Sequence, residues 1–150
     1  SFAATRLGEI TVMLYERIAI LAAAGIVALI AYVVWRAYAA RRVARLAEAA
    51  APASVRELVV DAAPAVLYFT TSNCAQCRFQ QKPALDRFAE QARVAVYAVD
   101  AVAQEELARF YGIMTVPSTV LLNARLQPVA INHGLASADR LVQQLRAAAP

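Results

Sequence analysis

Hydrophobic and polar positions follow two different patterns along the chain. From Ile18 to Trp35, IAILAAAGIVALIAYVVW, eighteen residues pass without a charge or a proline and without a polar face. As a helix this run is about 27 Å long at about 1.5 Å per residue, close to the thickness of a bilayer core. Arg17 and Arg36 bound it, and Tyr32, Trp35 and Tyr38 gather towards its C-terminal end as an interfacial aromatic belt does. The pattern predicts an N-terminal tail over residues 1–17, a transmembrane helix over 18–38, a basic, Ala-rich juxtamembrane linker over 39–53 and a folded domain over 54–150. Ser1 is no initiator, and Met13 is the candidate start.

After Pro52 the apolar runs shorten and alternate with turn residues. Ser54-Val55-Arg56-Glu57 has the form of a capping box and predicts a short helix, with Val55, Leu58 and Val59 on one face and Pro64 as its stop. Val66 to Thr70 predicts a buried strand. A helix then starts near Cys74, capped by Ser72 or Asn73, with Phe79, Leu85, Phe88 and Ala89 inward and Gln80, Gln81, Arg87 and Glu90 outward. Pro83 should kink it. Val94–Val99 reads as a second buried strand, Gln104–Tyr111 as a helix stopped by Gly112, and Val116–Leu122 as a third strand. A turn at Asn123–Pro128 leads to a fourth strand, Val129–Asn132. Ser137 caps a closing helix that runs to about Ala147, with Leu141, Val142 and Leu145 inward.

Composition agrees with an anchor plus one domain: 61% of the residues are hydrophobic, and the excess sits near the N-terminus. The net charge of +4 is uneven. Residues 1–53 hold six Arg against three Glu, whereas residues 54–150 hold nine basic and eight acidic side chains. A nearly neutral domain lacks the concentrated basic face that nucleic acid requires. Arg36, Arg41, Arg42 and Arg45 follow the apolar span, so the positive-inside rule places the domain in the cytoplasm of a single-pass inner or plasma membrane protein, with an extracytoplasmic domain as the alternative. A cleavable signal peptide is the rival reading, since Ala37 and Ala39 form an A-x-A pattern. The long apolar run and the arginines crowding the cleavage point favour an uncleaved anchor in the lipid bilayer.

Cys74 and Cys77 are the only cysteines. At the start of a helix, unpaired backbone N–H groups and the positive end of the dipole favour a thiolate on Cys74, the form that attacks disulfides. Cys77 lies one turn along the same face and can close a ring with it. A structural zinc site needs four ligands, and His133 is the only other soft candidate, so no metal is expected. An inert disulfide across so short a loop constrains the unfolded chain little. His133, Tyr97, Phe110 and Tyr111 read as edge or core residues.

The order β-α-β-α-β-β-α after a leading helix, with C-x-x-C at the first strand-to-helix junction and Tyr111-Gly112-Ile113 followed by Val116-Pro117-Ser118, resembles the thioredoxin superfamily over residues 54–150. Gly134 sits where that family has a late glycine. The resemblance implies an α/β, thioredoxin-like fold: a central mixed four-stranded sheet flanked by helices, here preceded by the transmembrane helix. It also implies roles. Cys74 is the attacking thiolate, Cys77 the resolving thiol and Pro117 a cis-proline beside the sulfurs; Val116 pairs with substrate backbone, and Ala75 and Gln76 tune the pair and face the substrate. The chain departs from the family at Ala75-Gln76, at Asn73, at Tyr68 in place of a buried acid, at Val96 in place of its lysine partner, and at Pro83, one residue late, which hints at a local bulge. Without the acid, proton transfer at Cys77 must use water or another group.

The function expected is that of a membrane-tethered thiol–disulfide oxidoreductase, a protein-disulfide reductase by resemblance. It acts on protein disulfide substrates, draws on an unidentified electron donor and needs no organic cofactor beyond the redox-active cysteines. A non-catalytic thioredoxin-like module that binds a membrane partner, and a metal carrier using the two cysteines, are the alternatives.

Overall fold

The computed structural model describes residues 2–60 and 64–148, and side chains of the N-terminal helix from residue 15 onward. The non-initiator reading of Ser1 and the side chain of Met13 lie outside this range. Helix α1, Phe2–Glu48, is continuous through the segments expected as tail and span and into the expected linker. The tail is helical because its charges interrupt neither hydrogen bonding nor backbone geometry, and a helix already nucleated extends cheaply through proline-free sequence. Pro52 marks the other limit, since the chain restarts there as α2, Ala53–Leu58.

The chain forms two compact units, residues 1–41 and 42–150. The first is helix alone, with Ile18, Leu21, Val27 and Trp35 exposed. Tyr15–Glu48 is long and apolar enough to cross a membrane, and its apolar window is unburied, unlike the core helix of a soluble domain; a signal sequence has the same character.

The second unit takes in the last turns of α1. Leu46 packs on the core, and the Gln127 side-chain amide donates to the Ala47 carbonyl at 2.8 Å. Part of the expected linker is therefore built into the domain. The capping box fails: α2 begins after Pro52 with no side-chain cap, which leaves Ser54 inside the helix. There follow β1 (Ala65–Thr70), a wide π turn (Cys77–Gln81) running into α3 (Lys82–Ala92), β2 (Ala95–Asp100), α4 (Glu105–Tyr111), β3 (Ser118–Leu122), β4 (Pro128–His133) and α5 (Ala138–Ala147).

The sheet order is β2-β1-β3-β4, with β1 parallel to β2 and antiparallel to β3, and β3 antiparallel to β4. Alternation along β1 sends Leu67 and Phe69 to one face, where they meet Val55, Leu107 and Tyr111. Val66 and Tyr68 go to the other, against Leu85, Phe88 and Leu141. Central β1 and β3 are covered on both faces: β1 is apolar along nearly its whole length, and β3 buries Ser118 and Thr119 ahead of its apolar Val120-Leu121-Leu122. Strand β2, expected to be buried, is an edge: Ala95 and Ala98 are exposed while Val99 is buried. Gly112 ends α4 at φ +65°, and a Cβ there would collide with the Arg42 guanidinium.

The helix after the cysteines corrects the sequence reading at two positions. Phe79, expected inside, is 75% exposed, and Gln81, expected outside, is fully buried. Phe79 precedes Phe88 by about two and a half turns and so points away from it, whereas Gln81 is about two turns before and points the same way. The Gln81 amide donates to the Ala136 carbonyl at 3.0 Å and accepts from the Ala136 N–H at 2.8 Å, so it is satisfied in the core. The extra residue hinted at by the late Pro83 is absorbed by the π turn, in which the Lys82 N–H reaches back to the Cys77 carbonyl.

Gln81→Leu keeps side-chain volume but strands both backbone groups of Ala136. Its unfolding free energy in urea should fall by about 2–4 kcal/mol, while exposed Phe79→Ser should change it by less than about 0.5 kcal/mol.

Candidate active site

Strand β1 ends at Thr70, and the next residues turn sharply, the Cys74 N–H donating to the Thr71 carbonyl at 3.2 Å. Helical backbone begins at Ala75. Cys74 thus occupies the cap position expected for Ser72 or Asn73, which are exposed turn residues. Its side chain performs the capping function: the Cys77 N–H donates to the Cys74 Sγ at 3.1 Å. A sulfur that receives an N–H at the start of a helix is better stabilised as an anion than as a neutral thiol.

Cys74 and Cys77 are joined as a disulfide, with Cα atoms 5.2 Å apart. Their exposure differs sharply. Cys74 is half-buried, whereas Cys77 retains 1% of its surface. Cys77 is held on both sides of its α-carbon: its N–H binds the partner sulfur, and its carbonyl accepts both the Lys82 N–H and the Tyr68 hydroxyl, the latter at 2.9 Å. Burial pushes the Tyr68 phenol above its ordinary pKa, with Thr70 and the Lys82 charge pulling it partly back, so the hydroxyl remains a donor at neutral pH.

The Val116–Pro117 bond is cis, and the Gly134 N–H binds the Pro117 carbonyl at 2.9 Å. Val116 and Cys74 pack against the same apolar cluster that contains Cys77, while Ala75 and Gln76 are exposed on the first helical turn. The fold thus brings Cys74, Cys77 and Val116 together and leaves Ala75 and Gln76 on the open side. His133 is exposed at the end of β4; partial burial and the Arg42 charge lower its pKa, keeping it neutral at pH 7.

Two features escaped the sequence reading. The sequence reading counts Arg42 among the arginines that follow the apolar span and set its orientation, yet with Thr71, Glu105, Ile113 and Val116 it lines a groove of about 580 Å³. Its signal lies in the half-buried stripe Arg42, Val43, Leu46 and Ala47, which has helical spacing. The other is the contact of Tyr68 with the Cys77 carbonyl, which no local pattern announces.

The profile of the thioredoxin family matches residues 47–147. No curated protein matches the chain. Among solved structures, a mutant thioredoxin from Halobacterium salinarum is similar at 26% identity and a TM-score of 0.56, over 65% of this chain and 84% of its own. A designed protein is similar at 23% identity and a TM-score of 0.52, over 63% and 88%. Thioredoxin-2 of the malaria parasite reaches 25% identity and a TM-score of 0.49, over 55% and 80%.

The burial difference has a direct chemical readout. After reduction, iodoacetamide should modify Cys74 at least about tenfold faster than Cys77. Peptide mapping at short reaction times measures this, and equal labelling would contradict the asymmetry.

Proposed function

The chain belongs to the thioredoxin family, and on that premise we propose that it is a membrane-tethered thiol–disulfide oxidoreductase exchanging disulfides with protein substrates through Cys74 and Cys77. The observation carrying this reading is the paired sulfurs themselves: one accessible and held by a helix-start N–H, the other buried behind it.

In the reducing direction the thiolate of Cys74 attacks one sulfur of a client disulfide. A mixed disulfide forms, and the first client thiolate leaves and takes up a proton. Cys77 gives its proton to water and attacks the Cys74 sulfur; the Cys74–Cys77 bond forms and the second client thiolate leaves. The client gains two electrons and the protein becomes the disulfide. A donor dithiol restores it by the same exchange in reverse, so no organic cofactor is needed. Among the described residues no backbone–backbone hydrogen bond engages Val116, which supports its role in pairing with an extended client segment beside Pro117, while Ala75 and Gln76 border that segment. The exposed apolar helix supports anchoring, and the arginines after it support a cytoplasmic domain in an inner or plasma membrane. Tethering raises the effective concentration towards membrane clients.

Insulin reduction in the presence of dithiothreitol tests the chemistry. Cys74→Ser should bring the rate to background, and Cys77→Ser should accumulate a client–protein mixed disulfide. A Cys74→Ser rate equal to wild type would leave the domain as a binding module.

Topology is tested separately. In intact cells treated with a mild reductant, a membrane-impermeant thiol reagent should leave Cys74 unlabelled until lysis. Labelling without lysis would place the domain outside.

A further inference from the structure

The disulfide locks Cys77 against Cys74 only while it exists. In the mixed-disulfide intermediate that bond is open, and the resolving sulfur must still lie beside its target. Other contacts have to hold it there, because the rate of an intramolecular attack depends on how narrowly the attacking atom is confined.

Cys77 stands at the first position of the π turn, where the helix is wider than usual and its backbone less tightly coupled to the preceding turn. Its carbonyl has one helical partner, the Lys82 N–H, and one partner from outside the helix, the Tyr68 hydroxyl. Tyr68 is fixed in the middle of the central strand, paired with Ala98 on one side and Thr119 on the other. Its side chain is 7% exposed. This hydrogen bond therefore ties the resolving residue to a central strand paired along both edges. Next to it a cavity of about 340 Å³, with Tyr68, Thr70, Cys77, Lys82, Asp86 and Val96 in its wall, opens beside the Lys82–Asp86 ion pair.

We propose that Tyr68 is a positioning residue for the second half of the exchange: its hydroxyl holds the Cys77 backbone in the π turn, so that the Cys77 sulfur stays aimed at Cys74 after the disulfide has opened. Cys77 passes its proton to water and forms the Cys74–Cys77 bond, and the departing thiolate carries the electron pair away and is reprotonated by solvent. Tyr68 exchanges no proton in this sequence. The inference deepens the oxidoreductase reading and rests on it.

Tyr68→Phe removes the hydroxyl alone. The full-length reduced protein in detergent is mixed with oxidised glutathione, quenched with N-ethylmaleimide at successive times and weighed by mass spectrometry. Attack by Cys74, measured in a Cys77→Ser background with and without Tyr68→Phe, should agree within about twofold. Resolution, measured with Cys77 present, should slow by about threefold to tenfold in Tyr68→Phe, the loss expected for one neutral hydrogen bond, and the glutathione mixed disulfide should accumulate accordingly. An unchanged resolution rate overturns the proposal. So does equal slowing of both steps together with a lowered Tm, which would give Tyr68 a merely structural role. Glutathione needs no protein client, so a failure here is distinguishable from a failure of insulin reduction.

Discussion

A sulfur atom caps the helix that follows β1, where serine or aspartate oxygen is the usual acceptor. The hydrogen bond from the Cys77 N–H to the Cys74 Sγ satisfies a donor that the helix start leaves without an intrahelical partner, and places the accessible sulfur at the positive end of the backbone dipoles. Structure and the proposed reactivity share one contact here, since the sulfur that completes the helix is also the one assigned as nucleophile in the proposed exchange.

The rest of the domain serves that contact by immobilising what lies on either side of it. Strand β1 is paired along both edges and covered on both faces, so the turn leaves a rigid support. On the far side, the π turn takes up one residue before Pro83, and Gln81 locks the turn's end to Ala136, fifty-five residues away in sequence. A buried amide paired with both groups of one distant residue acts like a short piece of strand. It holds the cysteine-bearing helix to the segment leading into α5 with directional bonds that apolar packing alone would not provide.

The N-terminal helix has two characters along its length. Its apolar stretch exposes isoleucine, leucine, valine and tryptophan. Its last turns, from Arg42 onward, present a half-buried stripe to the domain, with Leu46 packed against the core and Arg42 over the glycine that ends α4. Gly112 supplies the left-handed backbone at the helix end, with the Arg42 guanidinium lying beside it.

What the sequence determined by itself follows from short-range spacing. The apolar run of Ile18–Trp35, the order of strands and helices, the stop at Gly112, the cap at Ser137 and the paired cysteines at a strand-to-helix junction are all properties of neighbouring residues, and periodicity and turn chemistry report them directly. What depended on distant segments was decided only in three dimensions. Gln81 reads as a surface residue until Ala136 comes beside it, and Phe79 reads as core until the helix is docked by its other face. Strand β2 is apolar yet lies at an edge, because the sheet order, and not its composition, decides how many neighbours it has. The unequal burial of the two sulfurs, and the bond from Tyr68 that holds one of them, likewise arise from the register of β1 against the helix that crosses it. One-dimensional spacing does not encode that register.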